Sequence, residues 1–202
     1  MINKRFIEDL KISGIRVLAR LDFNVPLNKN LQITDNSRIK GALKTIRYIV
    51  DGGGKAVLMS HLGRPKGFRL DSLSLKPVAK ELSRLLEKKV VLAPDCIGKE
   101  VEKIVSRMQN GDVVLLENLR FHKSETENET DFCRELAKLG DVYINDAFGS
   151  SHRAHASTSG VAEFVSDSAI GYLMHKELSF LGRAISKPEK PFLAILGGAK
   201  IL

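Results

Sequence analysis

The sequence predicts an α/β domain: a doubly wound, mainly parallel sheet with helices on both faces, in the three-layer Rossmann-like manner. Three observations predict it. Short apolar runs of strand length stand at residues 16–26, 55–60, 90–92, 113–117, 142–145 and 191–196, and the segments between them carry apolar residues at helical spacing. Strands alternating with helices build right-handed βαβ units around a parallel sheet. Finally, no Pro/Gly/Ser-rich linker or charge block divides the 202 residues, and 43% apolar content suffices for one full core, so a single domain over 1–202 is expected.

Each element has its own signal. In 16–26, Val17, Ala19, Leu21, Phe23 and Val25 make one apolar face and Arg16, Arg20, Asp22 and Asn24 the other, with Leu18 alone out of step. The pattern reads as an amphipathic edge strand with a wet face, ended by Pro26. Asn36 or Ser37 can then cap a helix bearing Ile39, Leu43, Ile46 and Val50, stopped at Gly52-Gly53-Gly54. The strand at 55–60 leads into a loop over 61–73. From Ser74 the spacing Leu75, Val78, Leu82, Leu85, Leu86 predicts a helix that tolerates Pro77 in its first turn. After the strand at 90–92, Val101, Ile104, Val105 and Met108 mark a helix that stops at Asn110-Gly111. Beyond the strand at 113–117, the polar tract 123–131 predicts a surface loop and helix start, followed by a helix through 136–139. The strand at 142–145 gives way to 146–155, too polar and glycine-broken for a regular element. Met174, Leu178, Leu181 and Ile185 fit a further helix before the last strand.

Lys and Arg outnumber Asp and Glu by 32 to 24, a net charge of +8, and such an excess points to an anionic partner: nucleic acid, an acidic membrane surface or a phosphorylated metabolite. The two cysteines, Cys96 and Cys133, fall in helical patterns with no Cys or His at ligand spacing, so reduced thiols and no metal site are expected. The amino terminus has charges where a signal peptide needs its apolar run, and no segment approaches 18 apolar residues in succession, so the expected location is the cytoplasm.

The informative regularity is positional. The first strand is followed by Asp22 and Asn24, the second by His61 and Arg64, the fourth by Arg120, the fifth by His152, Arg153 and His155, and the last by Lys200. In a parallel sheet these all emerge at one carboxyl rim, where open α/β sheets hold their ligands. Like charges gathered there repel by about 1 kcal/mol per pair at intermediate dielectric, so a bound polyanion best rationalises them. A nucleic-acid module is disfavoured by scattered lysines, 6% aromatic content and the lack of tryptophan. A dinucleotide-binding oxidoreductase would need Gly-x-Gly-x-x-Gly after the first strand, where Asp22-Phe23-Asn24 stands instead.

Six motifs in order sharpen the reading: Arg20-x-Asp22-x-Asn24-Val-Pro26, Ser60-His-Leu-Gly-Arg-Pro65, Leu116-Glu-Asn-Leu-Arg-Phe121, Asp141-Val-Tyr-Ile-Asn-Asp-Ala-Phe148, His152-Arg-Ala-His-Ala-Ser157 and Gly197-Gly-Ala-Lys200. Together they resemble the amino-terminal domain of the phosphoglycerate kinase family over nearly the whole chain. The resemblance implies a two-domain enzyme in which this half binds 3-phosphoglycerate or 1,3-bisphosphoglycerate. A carboxyl-terminal half, missing here, would bind Mg-ADP or Mg-ATP. Carried over by position, Asp22, Phe23, Asn24 and Arg38 would hold the hydroxyl and carboxyl end of the glycerate. The segment His61, Leu62, Gly63 and Arg64, with Arg120 and Arg153, would grip the phosphate that stays. Arg38 and Lys200 would meet the phosphoryl group in flight, Lys200 from the phosphoryl end of the nucleotide. The resemblance further implies a monomer, no nucleic-acid or membrane partner, and little or no catalysis by this half alone. The alternative is a stand-alone anion- or partner-binding scaffold of the same ancestry.

Overall fold

The computed structural model describes residues 5–186 and 191–193. Six parallel strands form one sheet in the order β3-β4-β2-β1-β5-β6: β1 (Arg16–Arg20), β2 (Lys55–Met59), β3 (Val90–Leu92), β4 (Val113–Leu115), β5 (Val142–Asn145) and β6 (Ser168–Ile170). The helices are α1 (Ser37–Asp51), α2 (Lys76–Leu86), α3 (Lys99–Ser106), α4 (Lys123–Glu127), α5 (Thr130–Ala137) and α6 (Tyr172–Ser186). From β1 the chain first builds one half of the sheet, then crosses after β4 to place β5 on the other side of β1. This reversal is the switch point of a doubly wound sheet, and it sets the carboxyl end of β1 at the centre of the ligand-binding edge.

The first strand therefore departs from its expected role. It is central, flanked by β2 and β5, and it stops at Arg20. Val17 and Ala19 enter a core with Ile39, Ile46 and Ile49 of α1 and Val78 and Leu82 of α2. Leu18 enters a second core with Val57, Val114 and Tyr143 under Val101 of α3 and Leu136 of α5. Both faces are covered, which is why Leu18 looked out of step and why there is no wet face: Arg20, counted as solvated, is 0% exposed.

Other expectations shift for similar reasons. The tract 123–131 is two short helices, α4 and α5, broken at Asn128 in a left-handed conformation (φ 55°), and Glu125 within it is fully buried. Cys133 lies in α5 as expected, but Cys96 sits in the turn after β3. Strand β6, three residues long, pairs with β5 and carries too few residues for a periodic signal. In α6 only Met174 is buried, while Leu181 and Ile185 are 44% and 82% exposed. Residues 191–193 are not strand; the rest of the expected strand at 191–196, and Lys200 with its glycines, lie outside the described residues.

Candidate functional site: a cationic basin on the carboxyl rim

The strand ends are stitched into one surface by side chains that follow them. Beyond β1 the Phe23 amide donates to Ser60 Oγ at 2.8 Å, and its ring is wholly buried. Asp22, its neighbour, accepts from Arg38 in the first turn of α1 and from the Asn24 amide at 3.2 Å. Gly149, after β5, stands so close that a Cβ there would lie 3.3 Å from Asp22 Oδ2. Asn24 Oδ1 in turn accepts from the Gly63 amide at 2.9 Å, and the Gly63 carbonyl accepts from the Arg120 guanidinium at 3.0 Å. Gly63 adopts φ +62°, and a Cβ would meet Leu73 at 2.8 Å, so glycine is needed there.

Sequence reasoning left Asn118 without a role. Its amide oxygen accepts from the backbone of Leu62 and Arg120, and its NH₂ donates to the carbonyls of Leu62 (2.8 Å) and Leu73 (2.9 Å). Of the expected site residues, Phe23 and Leu62 are thus buried supports, and Arg38, Asp22, Asn24, Gly63 and Arg120 follow one another in a single run of hydrogen bonds.

Beneath this surface lies a buried polar layer, also missed. The Arg20 guanidinium donates to Ser157 Oγ at 2.9 Å, contacts His61 Nδ1 at 2.9 Å, and donates to the Leu21 carbonyl. Ser157 donates through its amide (2.9 Å) and its hydroxyl (2.6 Å) to the Glu125 carboxylate, and its carbonyl accepts from Tyr143 OH at 2.7 Å. Only the polar flank of β1 could have pointed to Arg20; nothing in the tract around Glu125 distinguishes it from a solvated acid.

Several cations bear on the same buried groups. His61 is pushed down to about 2, first by burial and then by the charges of Arg20, Arg120, Arg153 and Arg38. Burial likewise lowers the Arg120 guanidinium, with Arg153, Arg20 and Arg64 adding like-charge repulsion, and His155 is lowered by burial and by Arg120, Arg153 and Arg20. Arg120 Nε and His155 Nδ1 are buried with no hydrogen-bond partner among the described residues. Arg64 and Arg153 project to solvent, the latter donating to His152 at 3.2 Å. The basin thus offers several fixed donors and an excess of positive charge, which suits an anion with phosphate or carboxylate groups. His61 makes a poor general base there, because burial and the neighbouring cations oppose its protonation.

Two features lie apart from the basin. Asp95, Cys96 and His122 bring potential ligand atoms within 4.8 Å of one another, an association the sequence did not disclose. The Asp95 carboxylate and His122 ring satisfy each other at 2.7 Å, and burial keeps the thiol protonated, so a hydrogen-bonded pair beside a core cysteine accounts for the group. A large hollow, about 1610 Å³, lies between the start of α1 and the flank of α2. Its charges are mixed, and Glu81 accepts there from both Arg84 (2.8 Å) and Asn36 (2.7 Å).

Among the described residues no helix is long and apolar enough to cross a membrane. The family model for phosphoglycerate kinase matches residues 7–202. A phosphoglycerate kinase of Clostridium novyi is 55% identical over 202 residues, covering 99% of this chain and 50% of the relative. One from Chlorobaculum tepidum is 54% identical over 200 residues with the same coverage. Among solved structures, phosphoglycerate kinase from Pyrococcus horikoshii superposes with a TM-score of 0.88 at 33% identity, covering 97% of this chain and 49% of that one. The Coxiella burnetii enzyme gives 0.82 at 35% identity, over 93% and 46%. The chain spans about half the length of the curated relatives it matches. With a parallel, doubly wound sheet and a family match over nearly its whole length, the chain belongs to the phosphoglycerate kinase family.

Proposed function

We propose that this chain is the amino-terminal, glycerate-binding half of a phosphoglycerate kinase, which transfers a phosphoryl group from 1,3-bisphosphoglycerate to ADP and yields 3-phosphoglycerate and ATP. The observation that carries the reading is the basin itself: Arg20, Arg38, Arg120 and Arg153 all bear on His61 at one sheet edge. Crowding of that kind is relieved by a polyanion of small size. Asp22, paired with Arg38, supplies the acceptor for a glycerate hydroxyl, and Asn24 and Gly63 fix the neighbouring backbone. Arg64, Arg120 and Arg153 suit the phosphate that is not transferred, since a planar guanidinium gives two donors to one anion.

In the ATP-consuming direction the acceptor is a carboxylate, ionised at pH 7, so no general base is required. The rate then depends on alignment and on neutralising the three equatorial oxygens of the moving phosphoryl group. Arg38 and Lys200 are the residues of this chain assigned to that task, Lys200 by position alone. Mg-ADP or Mg-ATP is the co-substrate, held mainly by the carboxyl-terminal half of the protein, whose closure over the basin excludes water from an acyl phosphate. On this reading the protein is cytoplasmic and monomeric, and this half alone transfers little or no phosphoryl group.

Isothermal titration with 3-phosphoglycerate tests the assignment. Binding at one site is expected, lost in Arg64→Ala and in Arg153→Ala and nearly unchanged in Lys200→Ala. Equal losses at all three positions would overturn the division of roles, and no binding by the parent chain would overturn the function. A coupled assay with 1,3-bisphosphoglycerate and ADP, with and without the other half, separates a kinase part from a binding scaffold.

A further inference from the structure

His61 has two ring nitrogens, and in its neutral form only one carries a proton. Which one decides what the ring offers an anion: an Nε2–H donates to it, whereas a bare Nε2 turns a lone pair toward it. The structure answers through Arg20. A guanidinium is a donor only, and it faces His61 Nδ1 at 2.9 Å, so Nδ1 must accept. The proton is left to Nε2.

Arg20 is itself held on every side. Its Nε donates to Ser157 Oγ at 2.9 Å while the Ser157 hydroxyl hydrogen goes to Glu125 Oε1 at 2.6 Å, so one serine relays between a buried cation and a buried carboxylate. Ser157 is further fixed by its amide to Glu125 (2.9 Å) and by Tyr143 to its carbonyl (2.7 Å). Both charged groups are 0% exposed, so neither can rotate into water in place of the other.

We propose that Arg20 is a positioning residue: anchored by Ser157 and Glu125, it fixes His61 as the Nε2–H tautomer, and His61 then serves the basin as an uncharged donor. This rests on the anion-binding role assigned above. Among the described residues the charges that bear on His61 are those of Arg20 from β1, Arg38 from α1, Arg120 from the turn after β4 and Arg153 from the loop after β5, all cationic, and all oppose its protonation. An uncharged donor adds a hydrogen bond without adding a further like charge to that set.

Long-range ¹H–¹⁵N spectra of the histidine rings in the ligand-free chain test the proposal without requiring any ligand. The expected result is one neutral Nε2–H species for His61, unchanged between pH 5 and 8. Ser157→Ala removes the anchor and leaves both charges in place. It is expected to mix in the Nδ1–H form and to weaken 3-phosphoglycerate binding several-fold, and Ser157→Thr, which keeps a hydroxyl, is expected to restore both. Arg20→Leu is expected to go further and bring His61 into titration above pH 5; should that variant fail to fold, the serine pair still decides. A purely structural role for the network would lower the melting temperature and leave the ring signature alone. An Nδ1–H or protonated His61 in the parent chain, or an unchanged ring in Ser157→Ala, would overturn the proposal. A parent chain with the expected ring signature that fails to bind 3-phosphoglycerate would instead count against the function and leave the tautomer assignment standing.

Discussion

His61 in the basin and Glu81 in the large hollow are both driven down to about 2, and they arrive there by opposite routes. Glu81 is lowered first by hydrogen bonds from Arg84 and Asn36, which reward its charged form. His61 is lowered by burial and by four arginines, which penalise its charged form. The hollow has five times the volume of the small recess beside Asn24 and Gly63, roughly 1610 against 300 Å³, yet its charges are of both signs and Glu81 is already held by Arg84. The rim has cations without enough anions. Unpaired like charge, more than size, marks where a ligand belongs.

The largest test of that contrast removes a carboxylate from each place. Glu125→Ala removes the acceptor of both Ser157 donors and a counter-charge of buried Arg20, and is expected to cost about 3 kcal/mol in urea unfolding. Glu81→Ala, at the solvated hollow, is expected to lower the urea midpoint only slightly, since solvent screens its pair with Arg84. A small effect at Glu125 would mean that the buried layer is not held by charge.

Acid sharpens the difference further. The unfolded chain protonates His61 as pH drops below 6.5, while the folded protein resists until about 2. The stabilising contribution is therefore complete above pH 6.5 and is lost as pH falls through that window, at up to about 1.4 kcal/mol per pH unit. Replacing His61 by Gln should flatten the stability profile between pH 6.5 and 4.5, where Glu81 does not yet titrate. Glu81 adds its own loss only between pH 4.5 and about 2, because its charged form is the favoured one.

Salt gives the smallest separation. Raising ionic strength should return Glu81 toward its ordinary range, since its partner Arg84 is open to solvent, whereas burial keeps His61 low. Carbon-13 titration of both side chains measures this directly, and an equal response at the two sites would erase the distinction.

Much of the rim could be read without coordinates, because a parallel sheet puts every strand end on one edge and residues just past those ends must meet. Asp22, His61, Arg64, Arg120 and Arg153 follow from that rule alone. What was illegible is the layer underneath. Arg20 looks solvated in an alternating pattern, and only the covering of both sheet faces shows that it is buried. Glu125 lies in a tract as polar as any surface loop, and its partner Ser157 is distant in sequence. Cys96, Asp95 and His122 meet only through the packing of two strand-end turns, and β6 is too short for periodicity to register. Burial of charge is set by tertiary neighbours, which local pattern does not encode.

The central claim, that the cationic rim and not the larger hollow is the ligand site, is tested most directly by backbone amide ¹H–¹⁵N spectra during titration with 3-phosphoglycerate. The account predicts saturable shifts at Asn24, Gly63, Arg64, Arg120 and Arg153, with Asn36, Lys80 and Glu81 unmoved. Shifts confined to the α1–α2 hollow, with the rim silent, would contradict it.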